Sequence, residues 1–386
     1  MTPARRAAMR LALAGASSVV AGGLAAAAAA TIFARRVVTP DSYKPDDVDV
    51  LAVDDDTVTL RTTPETIVPG RYGLWLDGGT GHARLGQIVR HDEAAGTVTR
   101  ELVRVDGGRL RTGPARWNQY YYAGTPGEAL GLAYEDVDIP GEAGAMPAWL
   151  VPAGNGDRWA ILVHGRGATR EECLRALPVL QRLGITALVI SYRTTAGLPG
   201  APVLGRYHLG DREWEDLQSA VMFAAGRGAG EIVLFGWSMG GAIAMQTVSR
   251  SVATDRVRGI VLDAPVIDWR DVLSHHARIN RVPPPVGRLG QSVLSHRSAW
   301  RLAGTEAPVD LDRLDWVTRA AEITHPVLLI HSEDDEFVPC GPSRRLADAR
   351  PDLVTYVPVK GARHTKEWNV DPEDWNNAVA RFLLRI

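Results

Sequence analysis

Ser238 sits inside Glu231-Ile232-Val233-Leu234-Phe235-Gly236-Trp237-Ser238-Met239-Gly240-Gly241. An apolar run ends at Gly236, the serine follows two residues later, and Ala242-Ile243-Ala244-Met245-Gln246 reads as the start of a helix. The order predicts a strand, a sharp turn and a helix with Ser238 at the apex. This G-x-S-x-G arrangement lifts a nucleophilic hydroxyl clear of its backbone. So tight a turn needs small residues two before and two after the serine, and Gly236 and Gly240 supply them. A helix N-terminus directly behind the hydroxyl favours negative charge there.

A serine hydroxyl is a weak nucleophile until a base takes its proton. Around such a turn the partners follow in the order Ser, acid, His. His364 lies in the polar loop Lys360-Gly361-Ala362-Arg363-His364-Thr365, between the last apolar run and the last helical pattern, and is the candidate base. His325 and His331 flank a strand and read as structural. His275, His276 and His296 fall in a long insertion, His82 and His91 in a β-rich region, and His164 and His208 precede the serine. The acid belongs after the run Val327–His331, where Glu333, Asp334, Asp335 and Glu336 are consecutive. Spacing from Val338-Pro339 selects Asp335. Asp334 is the nearest rival, and Asp263, after an earlier strand, is a topological alternative.

Acyl transfer places negative charge on one oxygen, which two N–H donors stabilise by about 3–4 kcal/mol of barrier each. Met239, directly after the serine, is one candidate. Arg166 in His164-Gly165-Arg166-Gly167, following the run Trp159–Val163, is the other. The Arg166 side chain is expected to hold an anionic substrate group, to reach solvent or to pair with an acid. The scheme needs no cofactor.

The elements that must position these groups follow from pattern. The chain has 386 residues, 45% apolar and 23% charged, with a formal net charge of −2 that argues against non-specific nucleic-acid binding. Cys173 and Cys340 form no C-x-x-C, so neither a zinc site nor a redox dithiol is expected, and both read as free, buried thiols. Leu11–Ala34 is 24 residues without a charge, flanked by Arg5, Arg6 and Arg10 before and Arg35 and Arg36 after. As a helix it spans roughly 36 Å, enough for a bilayer core. Residues 1–36 therefore read as a membrane anchor with the remaining chain outside the cytoplasm, or as a signal segment cleaved among Ala25–Ala30. A linker over 37–45 contains Pro40 and Pro45.

Residues 46–132 alternate β-rich runs with turn signals and predict a small all-β unit of five or six strands. Near its end Trp117-Asn118-Gln119-Tyr120-Tyr121-Tyr122 reads as core or inter-domain packing, or as the lining of a cleft. Residues 133–386 alternate short apolar runs with helical patterns, predicting an α/β domain with a mostly parallel sheet covered on both faces. Residues 264–323 interrupt that alternation and suit a lid over the site. Asp211-Arg212-Glu213-Trp214-Glu215-Asp216 reads as a carboxylate-rich helix N-terminus, not a metal site.

From about Leu130 onward the chain resembles an α/β-hydrolase, on the strength of His164–Gly167, Gly236–Gly241, Asp335 with Val338-Pro339, and Gly361–His364. Within that superfamily it is similar to the prolyl-oligopeptidase and serine-aminopeptidase-like branch and to actinobacterial membrane-anchored hydrolases. The resemblance implies an eight-stranded sheet, with the insertion after the sixth strand, and a metal-independent Ser-His-Asp mechanism. The expected substrate is a small ester. Rival expectations are a short peptide, with Glu333 and Asp334 capturing a free amine, and a non-catalytic envelope-binding protein.

Overall fold

In the computed structural model, which describes residues 22–40, 44–142, 144–195 and 205–386, the first element is a helix, α1 (22–38). The start of the charge-free run lies outside the described residues. Among the described residues no helix is long and apolar enough to cross a membrane. The second half of α1 does not stand apart from the fold, as the sequence led us to expect. Ala30, Ala34 and Val38 are fully buried. Ala34 and Val38 join the largest apolar core, because small side chains at this spacing share one helix face.

The β-rich runs become β1 (Val48–Val53), β2 (Thr57–Arg61), β3 (Tyr72–Leu76), β4 (Gly81–Asp92), β5 (Thr97–Gly107) and β6 (Gly113–Asn118). They close into a barrel in the order β1-β2-β5-β4-β3-β6, every pairing antiparallel. Closure leaves no strand edge unpaired. A strong determinant inside is Arg100, which has no exposed surface. Its guanidinium donates to the carbonyl oxygens of Thr66, Val68, Gly70 and Gly86 and lies 5.2 Å from the rings of both Tyr72 and Trp117. The cation thus pins the β2–β3 connection across the barrel.

Beyond a short helix, α2 (Pro126–Leu130), the chain enters a sheet built from β7 (Glu135–Gly141), β8 (Gly144–Val151), β9 (Arg158–Val163), β10 (Thr186–Ile190), β11 (Glu231–Trp237), β12 (Val257–Asp263), β13 (Val327–Ser332) and β14 (Val354–Val359). Its order is β14-β13-β12-β11-β9-β10-β8-β7, antiparallel at β7–β8 and β8–β10 and parallel elsewhere. β10 and β13 are buried along their whole length, as strands covered on both faces should be. The covering helices are α3 (Leu177–Arg182), α4 (Trp214–Gly226), α5 (Met239–Arg250), α6 (Trp269–Ile279), α7 (Pro284–Ser295), α8 (Trp300–Ala303), α9 (Gly341–Ala349), α10 (Glu367–Val370) and α11 (Pro372–Arg385). The insertion over 264–323 contains α6, α7 and α8. Its α7 lies close to α1, since a side-chain carbon on Gly290 would come within 2.8 Å of the Phe33 ring.

α3 is preceded by a 3-10 segment, Arg170–Ala176, in which Glu172 and Arg175 are buried. One sequence reading needs correction. The acidic stretch over 211–216 does more than favour a helix dipole. Glu213, wholly buried, accepts from the backbone of His208 and Gly210; Asp211 binds Arg250 and Arg313; Asp216 holds Arg193 at 2.8 Å.

Replacing Arg100 by Met leaves several buried carbonyls without a donor, each costing about 1–3 kcal/mol. Arg100→Met should lower the unfolding free energy by about 3 kcal/mol or more in urea titrations. Arg90→Met, on an exposed part of β4, should change it by less than about 0.5 kcal/mol.

Candidate active site

Ser238 joins β11 to α5 with φ 52° and ψ −116°, a conformation that side chains rarely adopt. The surroundings enforce it. A Cβ on Gly236 would lie 2.4 Å from the Gly240 carbonyl oxygen, and one on Gly240 2.2 Å from that of Val163. Only glycines let the turn close this tightly against β9. The backbone is then held from both sides: Ser238 N–H donates to Asp263 O, and Gly241 and Val266 N–H donate to Ser238 O.

The hydroxyl of Ser238 meets Nε2 of His364 at 2.9 Å, and Nδ1 of His364 meets Oδ2 of Asp335 at 2.7 Å. With Nδ1 protonated, His364 donates to the carboxylate while Nε2 accepts the serine proton. Asp335 is fixed by further donors. The N–H groups of Phe337 and Val338 both reach its Oδ1 at 2.8 Å, and Nε2 of His331 lies 3.2 Å from its Oδ2. Nδ1 of His331 faces the hydroxyl of Ser343 at 2.7 Å. Burial alone would raise the Asp335 pKa, but the adjacent His364 charge and the bonds from both histidines outweigh it, holding the carboxyl well below the usual range.

The loop His164–Gly167 lies against the nucleophile: a Cβ on Gly165 would be 3.2 Å from Cβ of Ser238. The Gly165 N–H is already committed to Oε2 of Glu172 at 2.7 Å. The next amide along is that of Arg166, while Met239 opens α5 directly after the serine. The expected oxyanion donors therefore lie on the two segments flanking the hydroxyl. The Arg166 guanidinium donates to the main-chain carbonyls of Arg36, Val37 and Thr39, acceptors that the sequence did not point to.

The rival acids are engaged elsewhere. Asp334 accepts from the Gly361 N–H, and Glu333 pairs with Arg344 at 2.9 Å. Asp263 accepts from Nε1 of Trp375 and neighbours Glu367. Burial, then the charges of Asp263 and Asp335, push the Glu367 carboxyl well above its ordinary range. Sequence reasoning missed Glu172 and Arg175. Arg175 donates to the Thr365 carbonyl beside His364 and lies 3.6 Å from Glu172, so a buried pair joins the loops of Arg166 and His364. No periodicity marks that role. His331, read as structural, proves to face the acid directly. Tyr120 and Tyr121 serve inter-domain packing, the Tyr120 hydroxyl accepting from Thr169 N–H and Tyr121 lying beside Trp368. Cys173 and Cys340 are free; Cys173 is buried and Cys340 only partly so. Among the described residues no group of His, Cys, Asp or Glu side chains could hold a metal ion.

The sequence profile described as the alpha/beta hydrolase family matches residues 160–378. A second, described as a domain of unknown function (DUF8805), matches residues 49–118, the barrel. An uncharacterised protein of Mycobacterium tuberculosis strain H37Rv is 27% identical over 259 residues, covering 65% of this chain and 79% of its own. An esterase of Pyrococcus furiosus, Pf2001, superposes with a TM-score of 0.52 at 21% identity, covering 68% of this chain and 95% of its own. A second crystal form of that esterase gives 0.52 at 20% identity, covering 68% and 96%. At such identity the likeness is one of fold.

The depressed pKa of Asp335 is also a statement about stability. Its ionised form contributes stability above the ordinary carboxylate range, and that contribution is lost as pH falls through the lower folded value. Asp335→Asn should therefore flatten the acid limb of stability against pH below about pH 4, where free carboxylates titrate. Thermal melts from neutral to acid pH measure this; an unchanged acid limb contradicts it.

Proposed function

The chain belongs to the alpha/beta hydrolase family, and from that premise we propose that it is a serine hydrolase acting on carboxylic esters. The observation that carries the reading is the unbroken line of bonds from Ser238 through His364 to Asp335. In the forward step Oγ of Ser238 attacks the ester carbonyl as its proton passes to Nε2 of His364. Asp335 stabilises the imidazolium through Nδ1–H, and the Met239 and Arg166 amides hold the oxyanion. The tetrahedral intermediate collapses, His364 protonates the departing alkoxide, and an acyl-Ser238 ester remains. Water, deprotonated by His364, then attacks that ester and releases the acid.

A short peptide would use the same steps. A peptidase that captures a free amine needs an uncommitted carboxylate near the nucleophile, whereas Glu333 and Asp334 already serve Arg344 and the Gly361 amide. The ester reading is therefore preferred. A non-catalytic binding role would not call for a histidine aligned between the serine hydroxyl and the carboxylate. The charge-free run supports a further proposal, a membrane tether with the hydrolase outside the cytoplasm. With Ala30 committed to the fold, the span would fall on Leu11–Ala29, about 28 Å as a helix against the about 30 Å of a bilayer core.

A fluorophosphonate probe should label the wild type and not Ser238→Ala, and the substitution should lower kcat on a short-chain ester by about 10⁶-fold. kcat/KM should favour short-chain esters over aminoacyl anilides. Labelling that survives Ser238→Ala rules out the nucleophile, and faster turnover of the anilides transfers the assignment to a peptidase.

A further inference from the structure

The loop that carries the proposed second oxyanion donor is gripped from outside by the end of α1 and by Thr39 just past it. The guanidinium of Arg166 donates through Nε to Val37 O at 3.0 Å, and through Nη2 to Thr39 O at 3.0 Å and Arg36 O at 3.3 Å. These are carbonyls at or just past the end of α1, which the helix itself cannot satisfy. A cation there also meets the negative end of the helix dipole. Five residues further on, Nζ of Lys44 donates to Gly167 O at 2.9 Å. Tyr207, almost wholly buried, closes the arrangement. Its N–H donates to Val38 O, its hydroxyl accepts from Gly167 N–H, and its ring lies 5.1 Å from the Arg166 guanidinium. The Lys44 carbonyl in turn accepts from Arg116 on the barrel, at 2.9 Å.

We infer that residues 36–40, together with Lys44, are a positioning strap for the oxyanion loop, with the Arg166 side chain as its clasp. One residue then does two things. Its backbone N–H faces the developing oxyanion, and its side chain fixes where that N–H points by holding the N-terminal segment. The inference rests on the hydrolase reading for its catalytic consequence, though not for the grip itself. An oxyanion donor stabilises a transition state only when it lies within about 2.7–3.1 Å of the charged oxygen. Gly165 and Gly167 on either side of Arg166 would let the loop drift by more than this if nothing held it. The N-terminal segment, which carries none of the reacting groups, thereby becomes part of the catalytic apparatus. A signal cleavage among Ala25–Ala30 would leave the strap in place, whereas losing residues through Lys44 would remove it.

The test compares substitutions in the full chain. Arg166→Ala keeps the backbone donor and removes the clasp. It should lower kcat on a short-chain ester by about tenfold or more, short of the ~10²–10³-fold loss of a deleted donor, with KM changed by less than about twofold. Arg166→Lys, able to reach a carbonyl but not to span three, should recover part of the loss. Lys44→Met, at the other end of the strap, should lower kcat in the same direction. Arg35→Ala is the control. Its Nε donates to Leu302 O at 2.7 Å, tying α1 to α8 without touching the loop. It should lower the melting temperature without changing kcat. Amide hydrogen exchange should show the 164–168 peptide opening faster in Arg166→Ala and not in Arg35→Ala. Unchanged exchange and kcat in Arg166→Ala overturn the strap, and so does an equal kcat loss in Arg35→Ala. If the wild type neither turns over esters nor takes the fluorophosphonate, the hydrolase reading fails, and the exchange comparison still decides whether the strap exists.

Discussion

One buried carboxylate held in a single orientation underlies the whole site. The Asp335 side chain has no exposed surface, so its charge is tolerable only because donors surround it. Two backbone amides fix one oxygen, and two histidines face the other. The amides come from Phe337 and Val338, two and three residues after the acid, so the loop bends around its own side chain. The second histidine, His331, is the penultimate residue of β13 and is itself oriented by Ser343 on α9. The sheet thereby fixes the acid, the acid fixes the ring of His364, and the ring fixes the proton of Ser238.

His364 sits on a loop that would be mobile on its own, and three parts of the molecule hold it. Within the α/β domain, Asp334 takes the Gly361 amide, Ser332 donates to the Ala362 carbonyl, and Arg175 reaches Thr365 O. From the barrel, Glu65 pairs with both Arg363 and Lys366, and the Arg71 and Gln119 carbonyls accept from Asn369. From the insertion, His275 and His276 face the carbonyls of Glu336 and Phe337, whose ring lies 5.1 Å from that of His364. Arg100 acts through the same chain. By pinning the β2–β3 connection inside the barrel, it presents Glu65 to the histidine loop. The barrel therefore braces the segment that carries His364.

How much of this could be read from sequence differs by element. β11, α5 and the glycines of the turn follow from local sterics, which a sequence displays directly. His364 is selected by chain order and by the apolar run before its loop, and Asp335, among four consecutive carboxylates, by its spacing from Val338-Pro339. The parallel strands were legible because continuous apolar runs mark burial on both faces. The Glu172–Arg175 pair was not, since its meaning depends on partners about 190 residues away. The carbonyl acceptors of the Arg166 side chain were not legible for a related reason: backbone acceptors carry no residue signature. The packing of α1 was missed because an alanine-rich run looks alike whether it faces lipid or a protein core.

The most direct measurement is rapid-quench mass spectrometry with a chromogenic short-chain ester. The Ser238–His364–Asp335 account predicts that the acyl group appears on the peptide containing Ser238 before steady state, at the rate of the first burst of alcohol, and decays as the acid is released. Turnover without an acyl adduct on that peptide, or with the adduct on another side chain, contradicts it.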